Sequence, residues 1–269
     1  MLVFPNAKIN IGLRVVERRK DGFHNIETLF YPLKNLFDVI EILPAKSFDF
    51  KVLGQKIDCS IDDNLVVRAY MLLQQEFALP AVHILLKKSI PMGAGLGGGS
   101  ADATFTLKGL NELFSLGLED AEIASRAEHL GSDCPFFAYN YPMIGREKGE
   151  KLTNHSLDLS GKYLLLVKPD LHISTKDAYE AIVPKQCDID LGEILNLPIS
   201  EWGNAVTNDF EKPIFKKHQV LSDIKTAMYR QGALYSAMSG SGSTIYGIFS
   251  NEPQMWPDYN KFYQKVIPL

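Results

Sequence analysis

The sequence predicts a two-domain α+β protein. Three observations carry that prediction: an opening run of strand-like segments, amphipathic helical segments around a glycine-rich stretch, and a latter half that reads strand, helices, then a closing strand pair. The 269 residues, 46% of them hydrophobic, suffice for one large core or two smaller ones. Polar residues and glycines gather near 145–160, so an N-terminal domain is expected over 1–150 and a C-terminal α+β domain over 151–269. There is no internal repeat and no low-complexity tract.

Residues 7–15 alternate. Ile9, Ile11, Leu13 and Val15 fall on one face, and Lys8, Asn10, Gly12 and Arg14 on the other, the period of a half-buried strand. Lys20-Asp21-Gly22 signals a turn, and 23–30 reads as the returning strand. With further strands over 38–43 and 48–53, the chain is expected to open in antiparallel β structure. Asn64 is placed to cap a helix over 65–77, with Ala69, Leu72, Leu73 and Phe77 on one side. A strand over 82–86 precedes the glycines. Behind them Ala103, Leu107, Leu110, Leu113 and Phe114 recur at helical spacing, with Ser100 as the cap, Asp102 in the first turn and Gly117 as the stop. A second amphipathic helix over 119–130 ends at Gly131. Then come a short apolar strand over 163–167 and helical patterns over 176–183, 204–217 and 221–231. Strands over 233–238 and 244–249 close the chain, joined by Ser239-Gly240-Ser241-Gly242-Ser243.

Composition narrows the function classes. A formal net charge of -4 argues against general binding to nucleic acid or a membrane surface. The pairs Lys87-Lys88 and Lys216-Lys217 read as solvated surface. Cys59, Cys134 and Cys187 are odd in number, widely spaced and without a CxxC pair, which argues against a disulfide framework or a zinc site. Residues 1–5 lack the basic start and apolar core of a leader, and no apolar run reaches the length of a membrane span, so a reducing, cytoplasmic setting is expected.

Pro91, Met92, Gly93, Ala94, Gly95, Leu96, Gly97, Gly98, Gly99, Ser100 and Ala101 form a stretch with five glycines in seven positions. Such density is entropically costly, and close backbone approach to a ligand would offset it. Successive N–H groups followed by a helix N-terminus make a phosphate site, and Ser100 adds a hydroxyl. A hinge or tight bend is the plainer alternative. A P-loop is excluded because no lysine follows the glycines. Gly93, Gly95 and Gly98 match the GxGxxG spacing of a dinucleotide fold, but 87–91 separates them from the preceding strand. No HRD or DFG signature of a protein kinase is present.

Four separated segments together resemble the galactokinase, homoserine kinase, mevalonate kinase and phosphomevalonate kinase (GHMP) superfamily, and within it the 4-diphosphocytidyl-2-C-methyl-D-erythritol kinase family. They are 5–13 with 19–24, the glycine loop continued to Ala103, 130–137 around Gly131-Ser132-Asp133-Cys134-Pro135, and Met238 to Ser243. Ser174-Thr175 with Tyr179, and Asn208-Asp209-Phe210-Glu211, are weaker signatures. The resemblance implies a two-domain GHMP-kinase-like fold. It also implies ATP, with Mg²⁺, as phosphoryl donor to a hydroxyl of a cytidine diphosphate-linked methylerythritol. Lys8 and Asp133 match catalytic positions, Pro91 to Ala101 the ATP-binding segment, and Asn10, Phe23, His24, Thr175 and Tyr179 substrate-contacting positions. The family more often has Tyr where this chain has Phe23. Stacking on cytosine survives that change; a contact from the hydroxyl does not.

These residue types suit phosphoryl transfer, which is mostly positioning plus charge stabilisation. Asp133, between a helix stop and Pro135, is the candidate base or orienting group for the acceptor hydroxyl. Taken alone, it is a turn residue. Lys8 is placed to hold Asp133 ionised, polarise the hydroxyl or contact the γ-phosphate. Taken alone, it reads as a solvated strand lysine. His24 has donors and acceptors for a base edge, and Phe23 is either a stacking platform or core. The loop 239–243 is either a plain hairpin turn or a second nest beside the first. The metal ligands stay open. Rival readings keep the fold but change the acceptor to homoserine or mevalonate, or make the chain a non-catalytic ligand sensor.

Overall fold

A computed structural model of the protein describes residues 1–54, 60–180, 182–187 and 189–269. Cys59, counted above, lies outside the described residues. In chain order the strands are β1 (Leu2–Val3), β2 (Asn6–Arg18), β3 (His24–Phe37), β4 (Val39–Pro44), β5 (Asp49–Gly54), β6 (Val82–Lys88), β7 (Met143–Glu147), β8 (Lys151–Asn154), β9 (Tyr163–Lys168), β10 (Tyr235–Met238), β11 (Ile245–Phe249) and β12 (Tyr263–Pro268). The helices are α1 (Leu65–Phe77), α2 (Gly98–Leu113), α3 (Asp120–Glu128), α4 (Cys134–Tyr139), α5 (Thr175–Glu180), α6 (Leu191–Leu195), α7 (Glu211–Lys217) and α8 (Gln219–Arg230). Contacts group the chain into two units: Met1–Ala7, Leu36–Met92 and Gly97–Tyr141 form one; Lys8–Asn35, Gly93–Leu96 and Pro142–Leu269 form the other.

The first unit carries a four-stranded sheet in the order β1-β4-β6-β5. β4 runs antiparallel to β1 and β6, whereas β5 runs parallel to β6. The opening is therefore not wholly antiparallel as expected. Parallel neighbours need a crossover, and α1 supplies it between β5 and β6. Asn64 caps α1 as its sequence predicts, its side chain accepting from the Val66 amide at 3.0 Å. In β6 the period of two buries Val82, Ile84 and Leu86 and exposes His83 and Lys87. Lys88 falls on the buried side, so only Lys87 of that pair is solvated. Ile40, Ile42, Leu73, Ile84, Leu107 and Leu110 share one core with α3 and α4. Truncating a core leucine such as Leu107 to Ala costs about 2–5 kcal/mol.

The start and stop of α2 differ from the sequence reading. Gly97, not Ser100, is the N-cap, with φ of 70° and no side-chain cap bond. Its left-handed backbone suits glycine, which leaves the first-turn amides without a side-chain cap. Ser100 lies inside the first turn, and Asp102 is buried beyond it. The helix ends at Leu113 with Phe114 as C-cap, ahead of Gly117. α3 begins on a reciprocal capping box between Glu119 and Glu122.

The second unit carries most of a sheet ordered β2-β3-β7-β8 and a sheet ordered β10-β11-β9-β12. β2 is buried on both faces from Asn6 to Arg14, not half-buried, so its polar side chains are interior. β7 and β8 lie in the polar stretch taken for a boundary and pair antiparallel, Met143 opposite Asn154. A single cut at residue 150 would pass between these paired strands, and the contacts follow different lines. β9 lies between β11 and β12 and its consecutive residues Leu164 to Val167 are all buried, so both faces are covered, which accounts for its unbroken apolar run. Of the helix expected over 204–217, only α7 forms. Before it the Leu13 amide donates to Thr207 O, and the Asp209 amide to Leu13 O, both at 2.8 Å. Of the helix expected over 176–183, α5 is observed, and residue 181 lies outside the described residues. No helix among the described residues is long and apolar enough to cross a membrane.

Asn64→Ala removes the α1 cap and is expected to cost about 1 kcal/mol. Urea denaturation should show a lower midpoint with an unchanged slope.

Candidate active site

β2 places Lys8 and Asn10 on one face, and both side chains are buried. Lys8 Nζ donates to Asn10 Oδ1 at 2.6 Å and to the Gly95 carbonyl at 3.2 Å, and lies 5.4 Å from the Phe30 ring centroid. Asn10 Nδ2 donates to the Thr28 hydroxyl at 3.0 Å, which holds the amide so that its oxygen faces the ammonium. The Ser239 hydroxyl donates to the same Gly95 carbonyl at 2.8 Å and accepts from the Asn10 amide at 3.2 Å. The Thr244 amide donates to Ala94 O, and the Lys8 amide to Leu96 O. Residues 93–96 are thereby fastened to β2 and to the serine-glycine loop. Gly95 has φ of 74°, and a Cβ there would collide with the Ser239 carbonyl. Protein packing by itself therefore requires glycine at this position.

The rest of the glycine loop belongs to the first unit. Gly98, Gly99 and Ser100 open α2 after left-handed Gly97, and the Ala101 amide donates to Gly97 O at 2.9 Å. The amides ahead of Ala101 have no acceptor within the helix, and the helix dipole adds positive potential there. Gly99 is exposed, and a Cβ there would meet only Leu65 Cδ1, in ordinary contact at 3.9 Å. Asp133 occupies the N-cap position of α4 but makes no capping bond. The Thr104 hydroxyl donates to the Cys134 carbonyl at 2.8 Å. Ser100 is in hydrogen-bonding reach of the Cys134 thiol, which burial pushes up to about 12. These two links fix the residue after Asp133 against the first turns of α2.

The remaining candidates lie in the second unit. His24 stacks on Tyr179 with centroids 4.8 Å apart, and Tyr179 meets Phe210 edge-on at 4.8 Å. Burial, with the nearby Arg18 charge, lowers the His24 pKa and favours the neutral ring. Phe23 is 58% exposed, with Lys148 Nζ 5.7 Å from its ring centroid. It is not core, which leaves the stacking alternative. Thr175 Oγ1 lies 3.2 Å from Ser241 Oγ, bringing that threonine to the serine-glycine loop. Asn208 donates to the carbonyls of Met238 and Gly240 at 2.8 Å each, shaping the same loop. Sequence reasoning gave Thr28 and Ser239 no role as individual side chains. Thr28 had no signal, while Ser239 was readable only as part of its loop.

The GHMP kinases N terminal domain model matches residues 64–141, and the GHMP kinases C terminal model residues 191–260. The 4-diphosphocytidyl-2-C-methyl-D-erythritol kinase of Cytophaga hutchinsonii is 45% identical over 268 residues, 99% of each chain. That of Bacteroides fragilis is 49% identical over 259 residues, 95% of this chain and 94% of its own. The chain belongs to the GHMP kinases, in the 4-diphosphocytidyl-2-C-methyl-D-erythritol kinase family. A crystal structure of a 4-(cytidine 5'-diphospho)-2C-methyl-D-erythritol kinase is similar throughout, with TM-score 0.81 and 29% identity, covering 100% of this chain and 99% of that one. A mevalonate kinase shares the fold at 14% identity and TM-score 0.71, covering 99% and 98%.

A GHMP kinase must hold the phosphates of its nucleotide, and the start of α2 fits them. It offers first-turn amides, a left-handed glycine before them, and an exposed Gly99. Gly95→Ala should cost at least about 1–3 kcal/mol of stability, through its left-handed backbone and the collision of its Cβ with the Ser239 carbonyl. Thermal unfolding would show a clear drop in Tm; an unchanged Tm would mean the loop is not fastened as described.

Proposed function

We propose that the chain transfers the γ-phosphoryl group of ATP to a hydroxyl of 4-diphosphocytidyl-2-C-methyl-D-erythritol, in the non-mevalonate route to isoprenoid precursors. The observation that carries this reading is the 45–49% identity, over nearly the whole chain, to kinases of that name. The buried, oriented ammonium of Lys8 supports it from the side of chemistry.

In this reading Pro91 to Ala101 bind ATP, with the α2 amides on its phosphates. Mg²⁺ would accompany the nucleotide and offset the charge of its phosphates. ATP supplies an activated phosphoryl group. A bond forms between the acceptor oxygen and the γ-phosphorus, the bond to the β,γ-bridging oxygen breaks, and ADP leaves. Asp133 takes or orients the proton of the acceptor hydroxyl. Lys8 stabilises the negative charge that grows in the transition state. Asn10 aims the ammonium. Phe23, His24 and Tyr179 offer aromatic faces and a neutral imidazole to a cytosine, and Thr175 a hydroxyl to the substrate. The acceptor is a small molecule, and the setting is the cytoplasm.

A coupled ADP-release assay with Mg-ATP, using the cytidine substrate, homoserine and mevalonate in parallel, tests the assignment. Release with the cytidine substrate alone is expected; release only with another acceptor would reject it. Asp133→Asn should keep ATP binding and lower kcat by about 10²-fold or more. Turnover near wild type would remove Asp133 from the proton transfer.

A further inference from the structure

The first unit holds an ion cluster that the reaction chemistry leaves unused. Lys88 Nζ donates to Asp38 Oδ2 and, at 2.7 Å, to Asp102 Oδ2. All three residues are buried, at 7%, 0% and 3% exposure. Asp38 Oδ1 accepts from the amides of Ser89 and Ile90, the two residues that lead into Pro91. Asp102 directly follows Ala101. The glycine loop therefore enters and leaves through one cluster of charges. The ammonium lies 3.3 Å from the position a Cβ on Gly98 would take, directly beneath the start of α2.

We propose that Asp38, Lys88 and Asp102 are positioning residues: a buried pedestal that clamps both ends of the glycine loop and sets the field at the ATP phosphate site. Buried ion groups are poor stabilisers compared with apolar packing of the same volume, so their return here is geometric. The cluster also fixes the charge behind the α2 amides. Asp102 Oδ1 is buried with no hydrogen-bond partner, and burial pushes this carboxyl up to about 8 against the pull of Lys88. With Asp102 neutral, Lys88 is balanced by one carboxylate and the pedestal carries no net charge. The charged groups acting on Asp102 are Lys88 on β6 and Asp38 at the head of β4. From α4 the Cys134 thiol, pushed up to about 12, adds none. Ionisation of Asp102 above neutral pH places an unbalanced negative charge behind the phosphates.

The inference rests on the reading of the loop as the ATP site, and one set of titrations separates the two. Mg-ATP binding is measured with wild type, Lys88→Met and Asp102→Asn between pH 7 and pH 9, alongside steady-state kinetics. Lys88→Met is expected to weaken ATP about tenfold or more, with kcat at saturation and the KM of the second substrate within about twofold to threefold. For wild type the ATP Kd should rise several-fold toward pH 9, while Asp102→Asn, which cannot ionise, stays flat. Should Lys88→Met fail to fold, the nearly isosteric Asp102→Asn decides by its pH profile. A Lys88→Met enzyme that loses kcat and both KM values alike, or an Asp102→Asn profile with the wild-type slope, overturns the pedestal alone. Wild type that fails to bind Mg-ATP overturns the site reading and the pedestal with it.

Discussion

One acceptor, the carbonyl of Gly95, organises the candidate residues of the second unit. It takes the Lys8 ammonium and the Ser239 hydroxyl together. A carbonyl oxygen has two lone pairs, so both bonds form without competition. From that point the geometry follows in steps. The chain must pass so close to Ser239 that no side chain fits at residue 95. Ser239 in turn holds the Asn10 amide, and the Asn10 side chain, fixed by Thr28, turns its oxygen to Lys8. A flexible lysine is thus oriented by the Asn10 and Gly95 oxygens, the kind of preorganisation that makes a cation useful in catalysis.

The first unit solves the same problem with charge. Its share of the loop is held by Asp38, Lys88 and Asp102, which grip the residues just before Pro91 and just after Ala101. Five glycines would otherwise make the segment entropically expensive to order. Hydrogen bonds hold residues 93–96 and ions hold the two ends, so the loop is ordered along its length by the protein's own groups. Such preorganisation is what an electrostatic catalyst needs.

Much of this was legible in the sequence where local chemistry decides the outcome. Asn64 before an amphipathic run gave the α1 cap, and two apolar runs around serine and glycine gave β10 and β11. The separated motifs carried the family. What escaped depended on partners distant in the chain. β7 and β8 are short, and they read as a linker because their order comes from pairing, β7 with β3 and β8 with β7. The helical period over 204–210 lost to Leu13 and to the Asn208 amide, which tie that stretch down as a loop. Lys88 was readable in retrospect: it shares parity with Val82, Ile84 and Leu86. Its carboxylate partners, 50 and 14 residues away, were not readable.

The central claim is that the clamped Lys8 ammonium acts on the transferring phosphoryl group. The direct measurement is the single-turnover rate of Lys8→Met, from γ-labelled ATP to the cytidine-containing product, with Mg-ATP affinity determined on the same protein. The account predicts a fall of about 10²-fold or more in that rate, with affinity changed by no more than about threefold. A rate near wild type in folded, ATP-binding protein would contradict it.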